Sequence, residues 1–94
     1  MPDLTHKLFQ GTLDRISRGE ITSVEQFNAS LEEFRADCWR EADPDSIIGR
    51  GLSGIQEIAE PYMRYSETTL AGMPPRIRAA VQATHFINEA QIFG

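Results

Sequence analysis

A single cysteine, Cys38, in 94 residues leaves no internal disulfide to form and no cysteine pair for a structural zinc. That usage fits a reducing compartment best. Long apolar runs are missing too, and nothing approaches the roughly 20 residues that cross a bilayer. The opening Met1-Pro2-Asp3-Leu4-Thr5-His6-Lys7 lacks the hydrophobic centre of a secretory signal. The expectation is a cytoplasmic protein with no membrane contact. Bases are in the minority, nine against fourteen acids, for a net charge of −5. Sequence-independent binding to nucleic acid needs Lys and Arg to displace phosphate counterions, so no direct nucleic-acid contact is expected. No repeat and no low-complexity tract occurs, and no stretch alternates apolar and polar residues as a half-buried strand does.

What is present is ordinary globular composition, 40% apolar and 24% charged, which argues against general disorder. The expectation is one helical domain over residues 1–94, an all-α compact bundle of about four helices. A chain of this length buries a thin core, which a partner or a second copy would supplement.

The first helix is expected over about Asp3 to Arg18. Phe9, Leu13 and Ile16 share a face, with Leu4 and Leu8 on a neighbouring strip, so it should touch more than one neighbour. Gly19 is a natural C-terminal stop. The second begins at Thr22 or Ser23, where Thr22 with Glu25, or Ser23 with Gln26, makes a capping box. It runs to about Glu41, with Val24, Phe27, Leu31, Phe34 and Cys38 along one seam. The short link Gly19-Glu20-Ile21 forces an antiparallel hairpin or a sharp corner. The third is expected from Leu52 to Leu70, as one helix kinked near Pro61, with a fresh start at Pro61 as the rival. The fourth runs from Pro75 to about Gln91, with Phe86 off the main apolar side.

Few constellations carry chemistry. Gly49-Arg50-Gly51-Leu52-Ser53-Gly54 matches GxGxxG, but a phosphate-binding loop needs a preceding strand and a βαβ unit that this chain lacks. A flexible turn between the second and third helices is the expectation there. Asp43-Pro44-Asp45-Ser46 lacks the patterned acids of a calcium loop, and Asp45 or Ser46 capping a short turn through Ile47 and Ile48 explains it. Cys38 with His6 or His85 would make a nucleophile pair, yet its seam position suits a small buried hydrophobe. His85 and Glu89, one turn apart, are the remaining acid–base pair. Catalytic, cofactor and metal residues are therefore expected to be none, and the protein not an enzyme. A helix-turn-helix role through Arg76 and Arg78 lacks a basic stripe.

The charge distribution is the sharpest signal. Between Glu25 and Asp45 lie seven acids and two bases, and the remainder balances at seven of each. The whole net charge thus sits in one stretch. Glu33, Asp37 and Glu41 repeat at i, i+4, where like charges cost roughly 0.2–0.5 kcal/mol per pair. Three explanations compete: a solvated face, pairing across the fold with Arg76 and Arg78, or docking onto a basic partner. Trp39 lies about 100° from the seam by the helical period. It caps the core or anchors an interface. The partner-binding candidates are Glu33, Asp37, Trp39 and Glu41.

The expected function is a small acidic protein–protein interaction module, an adaptor, subunit or inhibitor, that binds a basic surface of a partner protein. One form is a phage-type inhibitor of a nucleic-acid-binding protein. A helical homodimer with an assembly role is the alternative, because apolar residues on two sides of the first and last helices exceed what one bundle hides.

Overall fold

A computed structural model describes residues 4–38, 40 and 43–90. Five α-helices follow one another: α1 (Leu4–Ser17), α2 (Val24–Asp37), α3 (Pro44–Ala59), α4 (Glu67–Ala71) and α5 (Pro75–Ala90), with a 3-10 turn at Glu60–Tyr62. No strand occurs among the described residues. Four helices are substantial and α4 is short, so the expected bundle of about four is present.

α5 is the hub. It packs against α3, α1 and α2, and touches α4 and the 3-10 turn. Its buried residues, Ala79, Ala80, Val81, Ala83, Thr84, Phe86 and Ile87, face more than one direction. Small alanine side chains let neighbouring helices come close on several sides. The buried Thr84 hydroxyl is satisfied within its own helix, donating to the Ala80 carbonyl at 2.9 Å. α1 wedges against both α3 and α5 through Leu8 and Leu13, as its two apolar strips require. α2 is attached mainly to α5, where the Phe27 and Phe86 rings lie 5.6 Å apart.

Local chemistry sets the ends. Gly19 adopts φ 77°, open to glycine at little cost. Its N–H bonds to Ile16, while the Glu20 N–H bonds to Arg15 at 2.9 Å, the paired bonds of a Schellman stop. Ser23 caps α2 by accepting from the Gln26 N–H at 3.2 Å, and Gln26 Oε1 reaches back to the Thr22 N–H at 2.7 Å. Of the two capping boxes in the sequence, the fold uses Ser23 with Gln26. α1 and α2 scarcely touch along their lengths, so their link is a corner rather than a hairpin.

Three expectations change. The glycine-rich stretch is no turn: it lies inside α3, which starts eight residues earlier than Leu52. Asp43 caps it by accepting from the Ser46 N–H at 3.1 Å, and Pro44 occupies the first turn. Asp45 and Ser46 are therefore not the cap. Ile48, Leu52, Ile55 and Ala59 form one buried stripe, whose burial outweighs the poor helix propensity of glycine. Gly51 has a packing reason, since a Cβ there would meet Leu8 Cδ2 at 2.8 Å. Second, α3 does pass into a tightened segment at Pro61, but the helix does not continue to Leu70. After the 3-10 turn, Ser66 starts α4 by accepting from the Thr69 N–H. Third, α2 ends at Asp37, and Cys38 closes it with its N–H shared between Phe34 and Arg35 carbonyls at 3.0 and 3.2 Å.

Along the seam of the second helix, Phe27 and Leu31 are buried as expected, and they share the core with Ile55 of α3 and Val81 of α5. Phe34 is only partly buried at its edge. Phe86, off the main apolar side of its helix, is buried against α2 rather than left for a partner. Tyr65, 45% exposed, is the one large apolar side chain in the open among the described residues.

Phe27→Ala should cost about 3–5 kcal/mol, the range for truncating a fully buried phenylalanine. Phe34→Ala should cost less than Phe27→Ala, because part of the Phe34 side chain meets water while Phe27 is fully buried. Urea unfolding of both variants checks the order. Gly11→Ala should add about 0.5–1 kcal/mol of stability, since nothing lies within 4 Å of the new methyl. Gly51→Ala should lower the melting temperature, because overpacking against buried Leu8 exceeds the propensity gain.

Candidate functional site

The acidic face of α2 is built from its amphipathic repeat. With Phe27 and Leu31 turned into the core, Glu25, Glu32, Glu33 and Asp37 are left exposed. Two small residues, Ala29 and Ala36, are exposed among them. Glu25 lies in the first turn, where the helix dipole favours an acid.

Two arginines hold part of this charge. Arg35 binds Glu32 on its own helix and reaches Asp45 at the start of α3, with Nε and Nη2 at 2.9 and 2.8 Å from Oδ1. Hydrogen bonding to Glu32 first, then to Asp45, holds the guanidinium above its ordinary pKa. The link ties the end of α2 to the start of α3. At the other corner Arg15 of α1 donates to Ser30 Oγ at 3.1 Å and lies 3.5 Å from Glu33. Both contacts are largely in solvent, so each contributes little to stability. Glu33, Arg15, Glu20, Gln26 and Ser30, with Ile21 and Ala29, line an open hollow of about 300 Å³.

Among the described residues, Glu25 and Asp37 form no ion pair. Pairing of the stripe with Arg76 and Arg78, one of the three competing explanations, is not made among the described residues. Glu33 takes Arg15 instead, and Arg76 lies over the Phe9 ring at 5.3 Å from its centroid. Of the four partner-binding candidates, Glu33 and Asp37 sit exposed on one helix a turn apart. Trp39 and Glu41 lie outside the described residues. The sequence pattern missed Arg15 and Arg35, whose partners are set by how the corners close.

The other chemical candidates do not assemble. His85 and Glu89 are both exposed on α5, and His6 is exposed on α1, stacked at 6.2 Å from Phe9. Cys38, the single cysteine of the sequence, is buried at the end of α2. No group of three or more His, Cys, Asp or Glu side chains suited to a metal ion occurs among the described residues. No helix among them is long and apolar enough to cross a membrane.

Comparisons with protein-family models, with curated proteins and with solved structures find no match for the chain.

Burial controls access to the one thiol. Cys38 should react slowly with a thiol reagent in the native state and rapidly in denaturant. Native labelling as fast as that of the unfolded chain would place the sulfur at the surface.

Proposed function

We propose that this chain is a non-enzymatic protein–protein interaction module whose acidic α2 face docks onto a basic surface of a partner protein. One observation carries the reading. The net charge of −5 resides between Glu25 and Asp45, and the acids of α2 are exposed, with Glu25 and Asp37 outside the ion pairs formed among the described residues. A concentrated field of one sign speeds encounter with the opposite sign and disfavours like-charged partners. The face lies on the outer side of the helix attached mainly to α5, so engaging it requires no opening of the core. Trp39, two residues beyond Asp37 in sequence, is the candidate desolvated anchor. An adaptor, a regulatory subunit or an inhibitor would all use such a face. A phage-type inhibitor that covers the basic nucleic-acid-binding surface of its target is one specific form. The homodimer alternative rests on surplus apolar surface, and Tyr65 is a small remainder on which to build it.

The test begins with a partner captured from native extract and identified by mass spectrometry. Binding kinetics are then measured for two variants at two ionic strengths. Glu33, Asp37 and Glu41 changed together to Lys should abolish binding while circular dichroism stays native, because exposed charges contribute little to the fold. Association of the unaltered protein should slow as salt rises, since such steering is screened over about 10 Å at 0.1 M. Trp39→Ala should instead speed dissociation with weak salt dependence. Charge reversal that leaves the affinity unchanged would reject docking through this face.

A further inference from the structure

Two of the chain's own guanidinium groups already rest on the acidic face of α2. Arg35 lies between carboxylates from two helices. Its Nη1 is paired with Glu32 of α2, and its Nε and Nη2 both reach Asp45 Oδ1 of α3, at 2.9 and 2.8 Å. These contacts engage most of the planar donor fork that distinguishes arginine from lysine. Arg15 approaches from the other corner. It projects from α1, donates to Ser30 Oγ at 3.1 Å and stands 3.5 Å from Glu33 Oε2.

These pairs are easily exchanged. The Arg15 and Arg35 side chains are 44% and 42% exposed, and the three carboxylates that they meet are more exposed still. Ion pairs in contact with water add little to the fold. A cation arriving from solvent can therefore replace either arginine without opening the core. Glu25 and Asp37, outside the ion pairs formed among the described residues, offer such a cation its first contacts. To reach Glu32, Glu33 or Asp45 it must displace Arg15 or Arg35, so the pairs already made offset part of its attraction.

We propose that Arg15 and Arg35 are built-in competitors that hold the α2 face at reduced affinity, and that an arginine-rich segment of the partner exchanges with them. The inference rests on the docking role proposed above for that face and adds a regulation of it. A partner that replaces both guanidinium groups engages the whole face, whereas a single cation does not. Exchange at Arg35 also releases its tie between the end of α2 and the start of α3.

The test is an NMR titration of the full isotope-labelled chain with an acetylated, amidated hexa-arginine peptide, at about 0.15 M salt, where charges are screened over about 8 Å. Backbone amides of Glu25, Glu32, Glu33 and Asp37 should shift together. The Arg35 Nε–H signal should move to the position of a solvated arginine as its bond to Asp45 is lost. Arg15→Gln and Arg35→Gln should each tighten peptide binding about threefold, and the two together about tenfold, as expected when an exposed ion pair no longer competes. Arg64→Gln changes the net charge equally but lies beyond the 3-10 turn, which packs on α3 and α5. It should leave the affinity within about 1.5-fold, because screening confines the effect to nearby charges. If the double variant loses its helical circular dichroism, the two single variants decide. An equal gain in Arg64→Gln, no gain in either single variant, or an Arg35 signal unmoved at saturation would overturn the competition and leave docking through α2 standing. Peptide shifts that miss α2 altogether would overturn both.

Discussion

The packing of α5 against three helices at once constrains everything else in this protein. Ala79, Ala80 and Ala83 are small enough to admit α1 and α3 at close range, while Phe86 projects to meet Phe27 of α2. Close approach matters because dispersion between packed atoms falls steeply with distance. The same demand acts on α3, where Gly51 leaves room for Leu8 of α1. A thin core in a short chain has little slack, so each close contact fixes where a neighbouring helix can lie.

That arrangement divides labour between packing and charge. α1, α3 and α5 pack on one another, whereas α2 is joined mainly along its Phe27 side and is free to carry acids on the other. Arg15 and Arg35 stand at its two corners and neutralise part of the charge where neighbouring helices meet. The acids that remain unpaired face solvent.

The exposed acids of α2 were legible from the seam itself, since Phe27 and Leu31 turned inward oblige Glu32 and Glu33 to turn outward. Their partners were not. An arginine reaches several ångströms on a flexible stem, and whether Arg15 or Arg76 answers Glu33 depends on the angle at the α1–α2 corner.

For the fold, the sequence by itself determined the helical class, the Gly19 stop, a capping box at the start of α2 and most of the core, while the choice of Ser23 with Gln26 over Thr22 with Glu25 came with the fold. Each follows from interactions within a turn or two, or from a strong apolar period. The start of α3 was also written locally, in Asp43 and Pro44, but the glycines that follow suggest a turn when propensity alone is weighed. Tertiary packing reversed that balance: burial of Ile48, Leu52 and Ile55, with Leu8 pressed onto Gly51, stabilises a helix that its glycines disfavour. It likewise drew Phe86 into the core and left Phe34 at the edge, because the direction in which each ring is buried depends on where the neighbouring helix lies.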